Sequence, residues 1–203
     1  MITGSKSVST GAGWGLAVIL CAYVALGVTY SLVTELRCGP DEPAHFIYIR
    51  ALATTLSPPP LAHQETHSED SEASHEGHQP PLYYALMAIP YAIMSAFGAS
   101  SDAIWRVLRL LGIPIGAAWI AAVYAPAMRV FNRREEALAT AAFVAMIPTS
   151  AYMAGVLSND ILASLLFTLA LVSILDVLKT GQLSVRGGIV SGLLIGLAIL
   201  TKA

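Results

Sequence analysis

Apolar residues occur along this chain in long runs, and most polar residues are gathered between those runs. A helix rises about 1.5 Å per residue, so about 20 apolar residues cross the roughly 30 Å hydrocarbon layer of a membrane. The pattern predicts an all-α, polytopic membrane protein with about five transmembrane helices. These predicted spans are residues 14–36, 107–130, 137–157, 161–178 and 187–203, and the fifth is truncated by the end of the sequence. The apolar core of the first run is longer than the roughly 7–15 residues of a cleaved signal peptide, so we interpret it as a retained anchor.

One further apolar stretch, residues 82–98, is short for a span and contains Pro90. If it does not cross, and the N-terminus is cytoplasmic, five basic residues fall at cytoplasmic helix ends, as the positive-inside rule prefers. These residues are Arg129, Arg133, Arg134, Lys179 and Arg186. The charges therefore predict a segment that lies in, or dips into, the outer interface. They also predict a large outer loop over residues 37–106.

The composition narrows the class of protein. Apolar residues make up 56% of the chain and charged residues 12%, whereas soluble domains carry about 25% charge. A formal charge of -2 offers no basic surface for nucleic acid. Cys21 lies inside an apolar run and Cys38 follows one, so a disulfide scaffold is not indicated. The sequence excludes a soluble globular enzyme and a nucleic-acid-binding protein.

The first candidate motif follows the first span directly and contains Asp41 and Glu42 before Pro43. Proline suits the first turn of a helix, and the pattern from residue 43 to about residue 56 predicts an amphipathic helix along the membrane surface. Two interpretations of Asp41 stay open. Its carboxylate either caps this helix or lies free at the lipid boundary, within reach of a lipid-borne substrate and an aqueous one.

Three other polar groups lie on the same predicted outer side of the membrane. Glu76, His78 and Gln79 precede paired prolines and two tyrosines, which by themselves suit a membrane interface. Arg106 and Arg109 are one helical turn apart, and they either bind phosphate or extend to lipid headgroups. Residues 158–160, which end in Asp160, either cap the fourth span or belong to the same site as Asp41.

Residues 57–79 form a low-complexity segment within this loop. Residues 35–78 hold eight of the 13 acidic residues and all five histidines. A polar segment of this kind cannot bury a core, so we predict that residues 57–79 are mobile. Histidine and carboxylate tracts can hold zinc or manganese, but the irregular spacing here does not define a metal site.

In this order and spacing, the motifs resemble those of the membrane glycosyltransferases with the C-type fold, the superfamily of the protein O-mannosyltransferases and the aminoarabinose transferases acting on lipid A. The resemblance rests on residues 40–46, residues 79–84, Arg106 with Arg109, residues 158–160, and Leu200-Thr201-Lys202. It implies that residues 1–203 are the N-terminal part of one transmembrane module, and that such a fragment is inactive alone.

The resemblance also implies a reaction. Asp41 would be the catalytic base, with Glu42 as its neighbour or an alternative, and the donor would be a sugar on a polyprenyl phosphate. Arg106, Arg109, His78 and Gln79 would bind the donor phosphate, although relatives often carry lysine or histidine where this chain has Gln79. Asp160, with His45, would help to bind a divalent metal, Mg²⁺ or Mn²⁺. Transfer to a lipid, glycan or protein acceptor would invert the anomeric centre at the outer face. Apart from the resemblance, the short loops between the other spans favour a bacterial inner membrane.

The main alternative is a multi-pass transporter or a non-catalytic membrane scaffold whose histidine-rich outer loop gathers metal ions. A transporter should carry ionisable groups within its spans. The predicted spans contain few such groups apart from Glu35, Asp176 and arginines near their ends. The sequence therefore favours the glycosyltransferase.

Overall fold

The computed structural model describes residues 11–59, 77–182 and 184–202. Within these residues the secondary structure is helical throughout, which confirms the all-α prediction. The helices are α1 Gly11–Val33, α2 Glu42–Thr55, α3 Leu82–Ala96, α4 Ser101–Phe131, α5 Arg134–Met146, α6 Pro148–Ala154, α7 Asp160–Thr180 and α8 Val185–Ile199. Most of the predicted mobile segment, residues 57–79, lies outside the described residues.

Three of these helices, α1, α4 and α7, are long and apolar enough to cross a membrane, and α5 with α6 adds a fourth candidate if the bent pair is one span. The 15-residue α8 is a shorter apolar helix. The chain is therefore an integral membrane protein with three or four candidate spans in its described part. The predicted total of five stays a prediction.

The predicted span over residues 137–157 is not one straight helix, because a break at Ile147 separates α5 from α6 with a bend of 66°. Pro148 has no N–H for the helix ladder, and its ring disfavours helical backbone at the preceding residue. Ile147 is accordingly extended, with φ -65° and ψ 117°. The short α6 then carries the chain towards the start of α7.

Helix α3 connects the end of α8 with the start of α4. At its start, the Leu82 N–H donates to the carbonyl of Leu200 just beyond α8, at 2.9 Å. At its other end, residues 97–100 lead directly into α4. The start of α3 thus lies beside the end of α8, and the end of α3 leads into α4. The position of this segment in the outer interface stays a prediction.

An aromatic cluster joins α2, α3 and α4. Phe46 stacks on Trp105 with ring centroids 4.0 Å apart, and Tyr48 stacks on Tyr84 at 3.9 Å. Buried aromatic pairs of this kind contribute about 0.5–1.5 kcal/mol each beyond the area they bury. The cluster therefore fixes α2 and α3 against the end of the bundle, next to the residues that follow α1.

A second contact region brings the backbones of neighbouring helices close together. A Cβ placed on Gly112 would lie 2.6 Å from the carbonyl oxygen of Ala154, and one on Gly155 would lie 2.6 Å from that of Gly27. Small residues permit this approach in membrane bundles. The contacts hold residues 154–157 against α1 and α4.

Candidate active site

A buried ion pair between Glu42 and Arg109 lies at the centre of the candidate site, and both side chains have no solvent exposure. The carboxylate accepts from the guanidinium twice, at 2.6 Å from Nε to Oε1 and 2.6 Å from Nη2 to Oε2. It also accepts from the backbone N–H groups of Leu157, at 3.1 Å, and Gly39, at 3.2 Å. Glu42 therefore joins the start of α2 to α4 and to the segment before α7.

Arg109 uses its remaining N–H groups on the end of α1. Nη1 donates to the carbonyls of Ser31 at 3.2 Å and Thr34 at 2.8 Å, and Nη2 donates to that of Glu35 at 2.9 Å. A guanidinium has five N–H groups, and all five here point at protein acceptors. Carbonyls at a helix end otherwise lack intrahelical partners, so Arg109 holds the end of α1 as well as Glu42.

The environment of Glu42 keeps it ionised. Burial alone would raise the pKa of this carboxyl, but the hydrogen bonds from Arg109 and Leu157 and the charge of Arg109 outweigh burial and hold the pKa below its ordinary value of 4.5. A low pKa stabilises the charged form that the pair requires. Glu42 is thus a fixed anion within the protein.

Asp41, the preceding residue, has a different environment. Its side chain is exposed, its backbone is left-handed at φ 52° and ψ 10°, and its carboxylate makes no capping hydrogen bond to α2. Within the described part of the chain, no hydrogen bond or ion pair engages that carboxylate. Left-handed backbone is uncommon for residues other than glycine and is tolerated by aspartate. The capping interpretation of Asp41 is therefore wrong, and the carboxylate is open to solvent.

The start of α7 is attached to this centre through Leu157. Ser158 Oγ accepts from the backbone N–H of Asp160 at 3.1 Å and donates to its carboxylate at 3.2 Å. Asp160 also forms an ion pair with Lys202 beyond α8, and each side chain is about 40% exposed. The segment that carries Asp160 thus lies against the segment that carries Glu42. The ammonium group of Lys202 lies next to it, because Lys202 pairs with Asp160.

Gln79 is tied to the same segment from the side of α3. Its side-chain oxygen accepts from Asn159 Nδ2 at 3.3 Å, and its backbone carbonyl accepts from the Tyr48 hydroxyl at 3.1 Å. Asn159 Nδ2 also donates to the carbonyl of Thr201 at 3.0 Å. Gln79, Asn159 and the end of α8 therefore form one polar network.

The other predicted site residues occupy two kinds of position. Arg106 and His78 are exposed. His45 is buried, with Nδ1 2.9 Å from the hydroxyl of Tyr84. Among residues 11–59, 77–182 and 184–202, no three histidine, cysteine or acidic side chains come together as a metal site. In this described part Asp160 pairs with Lys202, and His45 contacts Tyr84. The metal stays a prediction.

Two features of the site differ from the sequence-based predictions. Arg109 was expected to bind phosphate or to extend to lipid headgroups, whereas it is buried against Glu42; a charge flanked by Leu108 and Leu110 in an apolar helix is a signal for a buried partner. Lys202 was given no role in the site, whereas it pairs with Asp160. No spacing rule connects residues so distant in sequence.

Comparison with known proteins adds the family. The family model of the dolichyl-phosphate-mannose-protein mannosyltransferases matches residues 78–203, more than half of the 203 residues. The match covers the arginines of α4, Asp160 and Lys202, and it begins after Asp41 and Glu42. Searches of curated proteins and of solved structures found no match. The chain belongs to the dolichyl-phosphate-mannose-protein mannosyltransferase family, which confirms the predicted membrane glycosyltransferase of the C-type fold.

Proposed function

We propose that this protein transfers a sugar from a polyprenyl-phosphate donor to an acceptor hydroxyl, with inversion at the anomeric carbon, and that Asp41 is the general base. The observation that carries this proposal is the contrast between two adjacent carboxylates. Asp41 is exposed and makes no capping bond, whereas Glu42 is fully buried in an ion pair. The family supports the reaction class, because its description names a polyprenyl-phosphate-linked sugar, dolichyl-phosphate mannose, as the donor.

The reaction needs one base and little acid assistance. Asp41 removes the proton of the acceptor hydroxyl while that oxygen forms a bond to the anomeric carbon. The bond from this carbon to the phosphate oxygen breaks, and its electron pair stays on the departing polyprenyl phosphate. Attack opposite the leaving group inverts the anomeric centre.

Glu42 supports this step by position and not by proton transfer. A base must accept a proton from its substrate, and the four hydrogen bonds to the Glu42 carboxylate occupy both of its oxygens. The pair instead fixes the backbone on which Asp41 is held in the left-handed conformation. Strained backbone of this kind persists where its surroundings determine it, and it is often found at active sites.

The donor phosphate is expected near Arg106, with His78 and Gln79 at the edge of the site. Arg106 is exposed at the start of α4, so its guanidinium is available to an incoming anion. We do not retain Arg109 in this role, because its N–H groups point at Glu42 and at three carbonyls. The charge bias supports a site at the outer face of the membrane, and we propose a bacterial inner membrane and a lipid, glycan or protein acceptor.

The proposal is tested with Asp41→Asn in the full-length gene product, expressed in membranes. Transfer from a radiolabelled polyprenyl-phosphate mannose should fall below one per cent of the unmodified rate, because general-base catalysis contributes about 10²–10⁴-fold. Asp102→Asn is the matched control, since Asp102 is exposed at the same end of the bundle and pairs with Arg37. The control should retain transfer.

Equal transfer by Asp41→Asn and the unmodified protein would overturn the assignment of the base. If neither the unmodified protein nor the variants release sugar from a polyprenyl-phosphate donor, the proposed reaction is refuted. The transporter or scaffold interpretation would then be favoured.

A further inference from the structure

Lys202 is linked to the turn that carries Asp41 by a short series of hydrogen bonds. Glu42 accepts from the N–H of Leu157, and two residues later Asn159 donates to the carbonyl of Thr201 at 3.0 Å. The backbone N–H of Lys202 donates to the carbonyl of Ala198 at 3.0 Å, which keeps it against the last turn of α8. The backbone at Lys202 is therefore anchored on the candidate site, and its long side chain extends to Asp160.

The cations at this end of the bundle are engaged to different degrees. The guanidinium of Arg109 is buried with all five N–H groups directed at protein atoms. Arg37 pairs with Asp102 and lies over the ring of Trp105, 5.3 Å from its centroid. Lys202 pairs with Asp160 while 42% of its side chain is exposed. A ligand can reach Lys202 without breaking the core.

On the basis of the proposed function, we infer that Lys202 is a catalytic residue that binds the donor phosphate, and that Asp160 is its counter-ion in the absence of donor. When the donor enters, the ammonium group exchanges the Asp160 carboxylate for a phosphate oxygen. The exchange needs rotation of one flexible side chain and no movement of a helix. Asp160 then stays hydrogen-bonded to Ser158.

The chemistry of the leaving group explains why a cation is needed here. A sugar linked to polyprenyl phosphate is a phosphodiester with one negative charge. As the bond to the anomeric carbon breaks, its electron pair adds a second charge to the departing phosphate. A fixed cation stabilises this developing charge more than the starting charge, so it accelerates the chemical step. Loss of Lys202 should therefore lower kcat more than it raises KM.

The test variant is Lys202→Gln in the full-length gene product. Glutamine is neutral but can still donate to Asp160, so it removes the charge and keeps the contact. We expect kcat for transfer to fall about 100-fold, the size of effect seen for loss of one donor to a developing oxyanion. Lys202→Arg should retain most of the rate. Lys179→Met, which removes an exposed lysine near the end of α7, is the matched control and should retain it fully.

A binding measurement separates this inference from the assignment of the base. Farnesyl phosphate is a short polyprenyl monophosphate, and its binding can be measured on Asp41→Asn protein, which should not turn over. Lys202→Gln in that background should weaken binding at least tenfold, and farnesol should bind equally to both proteins. Asp160→Asn should bind farnesyl phosphate at least as tightly as its parent, because a competing anion is removed.

Unchanged binding of farnesyl phosphate by Lys202→Gln would overturn the inference. Equal losses of transfer in Lys202→Gln and Asp160→Asn, with binding unaffected, would show that the pair only holds α7 to α8. If Asp41→Asn proves active while Lys202→Gln loses both binding and rate, the base is wrong and the phosphate site stands.

Discussion

Glutamine at position 42 should destabilise the fold, although it differs from glutamate by one atom. Oε1 of Glu42 accepts from Arg109 Nε and the Leu157 N–H, and Oε2 accepts from Arg109 Nη2 and the Gly39 N–H. In Glu42→Gln, one of these oxygens becomes an NH₂ group that faces two donors. Two hydrogen bonds are lost, and the buried charge of Arg109 is left uncompensated.

The magnitude follows from those losses. Hydrogen bonds to charged groups contribute about 1.5–3 kcal/mol each, and removal of one partner from a buried ion pair costs about 3–5 kcal/mol. Glu42→Gln should therefore lower the free energy of unfolding by about 3–5 kcal/mol. Asp41→Asn, the same chemical change one residue earlier, should stay within about 0.5 kcal/mol, since Asp41 is exposed and asparagine tolerates left-handed backbone.

The assay is unfolding of the purified protein in mixed detergent micelles by titration with a denaturing detergent, followed by circular dichroism. The paired variant Glu42→Met with Arg109→Met removes both charges, so it should lose less stability than the sum of the two single changes. The reasoning would be refuted if Glu42→Gln were as stable as Asp41→Asn. A strictly additive double variant would equally contradict a coupled buried pair.

Two further predictions concern acid stability and backbone contact. The pKa of Glu42 is lowered below 4.5 in the folded protein, so the stabilisation by its carboxylate is complete above pH 4.5 and is lost as the pH falls through the folded pKa. Unfolding measured over a series of acidic pH values should show this loss of stability. Glu42→Gln should lack the part of the loss that comes from residue 42. Gly112→Ala should destabilise the bundle by more than about 1 kcal/mol, because its Cβ would lie 2.6 Å from the backbone oxygen of Ala154. Gly192→Ala is its control, with no atom within 4 Å of the added Cβ, so it should be neutral or slightly stabilising; equal thermal stability of the two variants would contradict the close contact.

The amino-acid pattern alone was enough to predict the class of protein and much of the helical order. Long apolar runs have few alternatives to membrane helices, because backbone polar groups in lipid must be satisfied within the chain. The predicted amphipathic helix over residues 43–56 is α2 at Glu42–Thr55, since proline marks its start and its apolar positions repeat with helical period. The order of the short motifs likewise indicated the family.

The sequence could not divide roles between neighbouring residues. Asp41 and Glu42 are similar acids, and only the position of Arg109 decides which one is buried and which one is exposed. Arg106 and Arg109 share a helical face by spacing, yet one is exposed and the other has no solvent exposure. The difference arises because α1 ends beside Arg109, and local spacing does not encode that contact.

Tertiary structure also decided which distant segments form the candidate site. The hydrogen bond from Leu157 to Glu42 joins residues 115 positions apart in the sequence. Those from Asn159 to Thr201 and from Lys202 to Asp160 each join residues 42 positions apart. The chain itself determined that its apolar runs are helical and that a carboxylate follows the first of them. The close packing of glycine-containing helices determined which polar groups meet, because a hydrogen bond depends on separations of about 3 Å that only the assembled bundle sets.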